Sequence, residues 1–248
     1  MDSKQITGKV HSLETFGLVD GPGVRCVIFL QGCNMRCQYC HNPDTWSLEG
    51  GQIWTAQDLF NKVYRYKNYW RNNGGITISG GEALLQMDFV TEIFRLAKEK
   101  NVQTCLDTSG NPFSLEPDYL EKFDRLMKVT DLFILDIKEM DPARHKALTL
   151  WDNQNILDMA VYLSDHNKDM WIRHVLVPYV TDDEKSLKDL ADFLGQLKTV
   201  KRTEILPYHT LGLFKWENLG LDYPLEGIPT PTPEAVKRAE EILGIVKS

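Results

Sequence analysis

Six short apolar runs, each followed by a longer stretch with helical spacing, constrain the fold of this chain more than any other feature. The runs cover residues 24–30, 76–78, 102–106, 132–135, 171–177 and 203–206. They are short and rich in β-branched residues, as strands buried in a parallel sheet must be. Between them lie amphipathic stretches. Thr55 is placed to cap a helix carrying Leu59, Val63, Tyr66 and Trp70 on one face, and Asp88 to cap one carrying Phe89, Ile93, Leu96 and Ala97. Thr181 and Glu184 have the spacing of a capping box ahead of Leu187, Leu190, Ala191, Leu194 and Leu197. Thr232 before Pro233 is a cap with proline at the first helical position, and Ala239, Ile242, Leu243 and Val246 form the stripe behind it.

Such alternation makes an α/β domain with a parallel sheet. At 248 residues the chain is at the short end for a full (β/α)8 barrel. Six units with a short N-terminal extension predict a partial (β/α)6 barrel of parallel strands, one domain over residues 1–248, with a doubly wound sheet as the competing fold. Hydrophobic residues, 42% of the chain, suffice for its core. The net charge of −7 repels phosphate backbones and argues against a nucleic-acid partner. No apolar run approaches the roughly 18 residues of a membrane span. Residues 1–5 lack the apolar stretch of a signal peptide, so the expected location is the cytoplasm.

In a barrel, chemistry gathers where strands end. The unusual polar residues fall at those ends: Ser79 to Glu82, Asp107 and Thr108, Asp136 and Lys138, and Pro207 to His209, with Arg173 and His174 inside the fifth run. The first run leads into Cys33, Cys37 and Cys40, three of five cysteines within eight positions. An odd, crowded set is not a disulfide framework. Three thiolates on one loop can hold a cubane cluster that ordinarily takes four, leaving one iron with an open position, as catalytic metal sites do. A Cys3His zinc site using His41 is a second reading, strained by the adjacency of Cys40 and His41. Chance clustering of core thiols is a third. Cys26 and Cys105 lie inside strands and read as small core residues. The six tryptophans share no spacing and read mostly as core, and the acidic run 182–184 complements a helix dipole.

The spacing C-x3-C-x2-C resembles the signature of the radical SAM superfamily. Asp20-Gly21-Pro22-Gly23-Val24-Arg25 resembles the D-G-P-G-x-R motif of the activating enzymes of glycyl radical enzymes. Residues 39–46 (YCHNPDTW), 104–108 (TCLDT) and 205–209 (ILPYH) are most similar to the branch acting on pyruvate formate-lyase. The likeness runs from about Gly8 to the last helix. Several related activators carry a ferredoxin-like insert after the first cluster, for which this chain lacks cysteines.

The resemblance implies a [4Fe-4S] cluster on Cys33, Cys37 and Cys40 whose open iron binds S-adenosylmethionine. Tyr39 then lies beside the adenine, Cys40 and His41 belong with it to the cofactor-binding set, and Gly80, Gly81 and Glu82 hold the methionine amino group. Asp136, Ile137 and Lys138 form the nucleotide segment, and His209 contacts the adenosyl part. The residues themselves add that Asp107 and Asp136 can bond the ribose or share a bound cation. Lys138 can neutralise the methionine carboxylate, and Arg173 needs a buried anion, which the cofactor offers. His174 reads as structural. Asp20, Gly21, Pro22, Gly23 and Arg25 are expected to meet the partner. The implied activity is an anaerobic oxidoreductase of glucose metabolism. It cleaves S-adenosylmethionine reductively to a 5′-deoxyadenosyl radical, which leaves a glycyl radical on pyruvate formate-lyase. A low-potential donor such as flavodoxin or ferredoxin supplies the electron, and no side chain is assigned to the chemistry itself. The alternatives are an activator of another glycyl radical enzyme, a radical enzyme on a small molecule, or an electron-transfer iron–sulfur protein with a fourth protein ligand.

Overall fold

The structure, a computed structural model, describes residues 5–71 and 73–245. Residues 1–4, read above for a signal peptide, and Val246 of the last helical stripe lie outside them. Contacts within the chain gather into two compact units: residues 1–34 with 45–134, and residues 35–44 with 135–248.

The first unit holds β1 (Thr7–Gly17), β2 (Arg25–Leu30), β3 (Gln52–Thr55), α1 (Ala56–Tyr64), α2 (Lys67–Trp70), β4 (Gly75–Gly80), α3 (Met87–Glu99), β5 (Gln103–Thr108), α4 (Pro117–Val129) and the start of β6 (Leu132–Asp136). Its strands run in the order β3-β1-β2-β4-β5-β6. The pairs β2/β4 and β4/β5 are parallel, whereas β1 pairs antiparallel with both β2 and β3. The four apolar runs expected in this stretch are all strands, and Cys26 and Cys105 are fully buried in them. The N-terminal extension is itself strand β1.

Two helix starts differ from expectation. Thr55 does cap α1, accepting from Asp58 N, but the helix ends at Tyr64 and Trp70 belongs to the separate short α2. Asp88 is not a cap. A 3-10 turn over Ala83–Gln86 precedes α3, which begins at Met87 and puts Asp88 in the first turn. There a carboxylate serves the helix dipole instead.

The second unit holds α5 (Pro142–Thr149), α6 (Gln154–Asp165), β7 (Met170–Leu176), α7 (Glu184–Leu194), β8 (Val200–Pro207), α8 (Leu213–Asn218) and α9 (Pro233–Ile242). β7 and β8 are parallel. The expected capping box is replaced. Asp183 caps α7, accepting from Ser186 N at 3.0 Å, while Thr181 accepts from Val177 N and donates to Val175 O. Thr232 caps α9 as read. Of the six tryptophans only Trp70 and Trp216 are buried, and Trp151 is exposed. One core cluster packs Tyr39, Leu148, Val177, Tyr208 and Leu225, and a second packs α7 and α9 onto β7 and β8 through Leu176, Leu187, Ile205 and Ala239. No helix among the described residues is long and apolar enough to cross a membrane.

Candidate active site

In the first unit, Gln31-Gly32-Cys33 continues β2 and is pinned by main-chain bonds: Gln31 N to Lys9 O, Gly32 N to Thr45 O and Cys33 N to Trp46 O. Cys33 is buried as a result. The turn after β4 closes on the same segment, with Gly81 N donating to Leu30 O and Glu82 N to Gly32 O at 2.7 Å. A Cβ on Gly81 would stand 2.2 Å from Gly32 O. The glycine is therefore required by the protein's own backbone, where ligand approach had been the expected reason.

Glu82 is 1% exposed. Its carboxylate accepts from Thr108 Oγ1 at 2.6 Å, from Leu84 N and Ser109 N at 2.9 Å, and from the Ser109 hydroxyl. Burial pushes its carboxyl above the usual range, and the Ser109 and Thr108 bonds oppose that push. Glu82 thus ties the end of β4 to the end of β5. Beside it Ser79 donates to Asp107 at 2.7 Å. Nothing in the sequence pattern pointed to Ser109.

The Asp20–Gly23 loop precedes β2 and folds back over the first residues of β4 and β5. Thr77 donates to Asp20 O at 2.6 Å, and Gly21, at φ +128°, lies against Arg25 and the Cys105 sulfur. Arg25 differs from its expected role. It is fully buried inside the sheet and holds the loop from behind, donating to Pro22 O at 3.2 Å.

In the second unit, residues 35–44 carry the other two thiols. Arg36 N donates to Thr149 O and Gln38 N to Leu148 O, which lays the segment along the end of α5, and Cys40 N turns back to Cys37 O. Helix α8 holds its far side: Trp216 Nε1 donates to Cys40 O at 2.8 Å, and Lys215 meets Asn42 at 2.8 Å and Asp44 at 3.0 Å. Neither residue stood out in the sequence.

Between the two thiols, Tyr39 is buried, and Lys138 Nζ lies 5.6 Å from its ring centroid. Lys138 also pairs with Asp136. Burial pulls the ammonium down most strongly of any single cause, but the Asp136 carboxylate, Tyr39 and Cys37 together outweigh it, so Lys138 stays charged well above its ordinary range. Burial drives the Tyr39 phenol up, so it stays neutral. Tyr39 Oη and Asp136 Oδ1 are both buried without a hydrogen-bond partner. Such atoms carry a desolvation cost that a polar ligand would relieve. Main-chain Ile137 N donates to Arg173 O, while its side chain is core. His174 is buried between Ile137 O and Thr181 O, in the structural role expected. Arg173 finds its anion inside the protein, with Nε donating to Glu204 of the next strand at 2.9 Å. His41 and His209 stack at 4.2 Å, with His41 Nε2 at 3.1 Å from His209 O. Burial holds the His41 imidazole below its usual range.

None of the five cysteines is in a disulfide. Among the described residues no three His, Cys, Asp or Glu side chains converge as ligands of a single ion. A cubane asks for something different, one thiolate on each of three irons, and the donor set of the loop has that chemistry. A mostly parallel α/β sheet whose first parallel strand leads into three thiols within eight positions of the chain, with a buried tyrosine between two of them in sequence, is what an iron–sulfur protein of the radical SAM class requires.

Residues 19–157 match the family of 4Fe-4S single cluster domains. A pyruvate formate-lyase-activating enzyme of Streptococcus mutans is 54% identical over 98% of this chain and 93% of its own. A crystal structure of a domain of such an enzyme from Bacteroides vulgatus is 26% identical with TM-score 0.56, covering 69% of this chain and 93% of that one. A radical SAM methyltransferase from Sphaerobacter thermophilus, at 17% identity and TM-score 0.63 over 89% of this chain and 63% of its own, shares the fold. The fold is the partial-barrel α/β fold expected from the six runs. The chain belongs to the family of pyruvate formate-lyase-activating enzymes.

Proposed function

We propose that this chain installs a glycyl radical on pyruvate formate-lyase, using one [4Fe-4S] cluster on Cys33, Cys37 and Cys40 together with S-adenosylmethionine. When bound, the pair supplies reductive cleavage of S-adenosylmethionine to methionine and a 5′-deoxyadenosyl radical able to take hydrogen from glycine. The observation that carries the reading is the buried group beside Cys37 and Cys40: Lys138, charged and paired with Asp136, with Tyr39 Oη and Asp136 Oδ1 unsatisfied.

The chain's own residues bind and orient. Cys33, Cys37 and Cys40 would hold the cluster, and with no fourth protein ligand nearby in the sequence it would keep an open position for the cofactor. Tyr39 offers a buried aromatic face to the adenine, and His41 with His209 offers a second ring pair. Lys138 supplies a fixed positive charge for the methionine carboxylate. Glu82 and the Gly80-Gly81 turn fix the ends of β4 and β5, and Glu82 remains the acidic group for the ammonium. Arg173 serves through its pair with Glu204. Asp136 Oδ1 is the atom a bound cation would take, with Asp107 as its expected companion. The setting is the cytoplasm in anaerobic glucose metabolism, with flavodoxin or ferredoxin as electron donor.

The test is anaerobic reconstitution with iron and sulfide, then addition of reductant, S-adenosylmethionine and pyruvate formate-lyase. About four irons per chain are expected, most of them lost in Cys37→Ser, with a glycyl radical on the lyase by electron paramagnetic resonance. Deoxyadenosine formed without that radical would mean the wrong partner. A colourless protein holding one zinc would overturn the cluster.

A further inference from the structure

Arg25 is a guanidinium with 0% exposure whose five hydrogen bonds go to a hydroxyl, a side-chain amide and main-chain carbonyls. A charge in that position must use every donor it has. Nε donates to Thr77 Oγ1 at 2.7 Å, Nη1 to Gln103 Oε1 at 2.9 Å and Pro22 O at 3.2 Å, and Nη2 to Ile76 O at 2.7 Å and Gln103 O at 3.2 Å. Thr77, itself fully buried, passes its own proton to Asp20 O at 2.6 Å. The cation is thus bolted to β4 and β5 on one side and to the Asp20–Gly23 loop on the other, through Pro22 O directly and Asp20 O by way of Thr77. The loop packs tightly onto it. A Cβ on Gly21 would stand 3.0 Å from Arg25 Cδ, and one on Gly23, at φ +68°, 2.7 Å from the Asn73 carbonyl.

We infer that Arg25, Thr77 and Gln103 form a buried clamp that fixes the Asp20–Gly23 loop in the one shape that receives the glycine segment of the substrate protein. This rests on the proposed function, in which that loop meets the partner. Thr77 and Gln103 are then positioning residues for a protein substrate. They never touch it, and they act only through the loop's carbonyls. One bond from this rigid fork to Pro22 O and one from Thr77 to Asp20 O hold two carbonyls of a four-residue loop, which leaves it less conformational freedom to lose when a partner docks, and that is how preorganisation raises affinity.

Thr77→Val keeps the volume and removes the hydroxyl that joins Arg25 to Asp20 O. Thr77→Ser keeps the hydroxyl and serves as the conservative control. Losing such a buried bond is expected to raise KM for the lyase about tenfold, with deoxyadenosine formation in the absence of lyase unchanged. Thr77→Ser should return KM to within about twofold of the parent. Amide exchange at Gly21 and Gly23 should quicken in Thr77→Val and not in Thr77→Ser. An unchanged KM, or one raised equally in both variants, overturns the clamp as a substrate-positioning device. If the parent protein places no radical on the lyase, the proposed function has failed, and the exchange measurement judges the clamp alone. Unaltered protection of Gly21 and Gly23 in Thr77→Val then overturns it.

Discussion

Lys138 and Asp136 hold one another in a setting where the lysine side chain is 7% exposed and the aspartate 22%. Removing one member of a buried pair strands the other, at a cost of about 3–5 kcal/mol, whereas replacing both is far milder. Lys138→Met is therefore expected to lower stability by about that amount and to abolish tight S-adenosylmethionine binding. Lys138→Met with Asp136→Asn should recover most of the stability and none of the binding, as read by urea denaturation and calorimetric titration. His145 gives a pH test. It is fully buried, its Nδ1 lies 2.7 Å from Trp151 O, and its Nε2 has no partner. Burial holds its imidazole below the usual range, with the Trp151 carbonyl pulling the other way. The unfolded chain thus takes up a proton near its ordinary pKa of about 6.5 that the folded chain refuses. Stability should fall as pH drops below that value, by at most about 1.4 kcal/mol per pH unit for this group. His145→Gln should show a shallower fall between about pH 7.5 and about pH 5.5 in urea midpoints. Equal slopes would remove His145 from the account. The sequence marked Arg173 as a buried cation in need of an anion, and that was sound. It could not identify Glu204, because the partner is fixed by the register of β7 against β8. Arg25 was misread for a similar reason: a motif gives neighbours along the chain, not which side of the sheet a side chain enters.

At the scale of elements, strands such as β2 and β4 were legible because strands buried on both faces are nearly all apolar. β1 was not, because its apolar Val10 and Leu13 are three residues apart among Lys9, His11, Ser12 and Glu14, and a register shift between Val10 and Ser12 interrupts the alternation an antiparallel strand would show. β3 has only four residues, partly or fully exposed, and carries almost no signal. Helix α5 escaped because its apolar residues make no stripe, its buried His145, Leu148 and Thr149 answering to local contacts. The caps failed differently. Thr181 and Asp183 both suit the role, and only the path of the chain after β7 decides, since Thr181 is taken by the carbonyl and amide of Val175 and Val177. This assignment can be checked. Asp183→Ala should lower stability by about 1 kcal/mol, the ordinary worth of an N-cap. A neutral result would return the cap to Thr181. Thr232→Ala on α9 is the internal control, expected to lose a similar amount because its cap bond to Ala235 N is of the same kind.

At the scale of the molecule, residues 35–44 belong with 135–248 although ninety residues of the other unit separate them along the chain. Their contribution to that unit is concrete. Tyr39 sits in the core cluster with Leu148, Val177, Tyr208 and Leu225. The main chain of Arg36 and Gln38 closes the end of α5, and α8 is fastened to Cys40, Asn42 and Asp44. A fragment of residues 135–248 would keep every helix and both strands β7 and β8, yet lose the ring that fills its core. Deleting a buried aromatic side chain costs about 3–5 kcal/mol, against a total stability of about 5–15 kcal/mol for a typical domain, and the lost hydrogen bonds add to that. The fragment is expected to show helical far-ultraviolet circular dichroism with a broad, weakly cooperative melt and little near-ultraviolet signal. A synthetic peptide of residues 33–46 should restore cooperativity in a saturable way, and the same peptide with Tyr39→Ala should not. A fragment that melts sharply on its own would mean that the thiol-bearing segment is a passenger on a finished unit. Cooperative rescue would mean that the residues expected to carry the cluster are also residues that complete the fold.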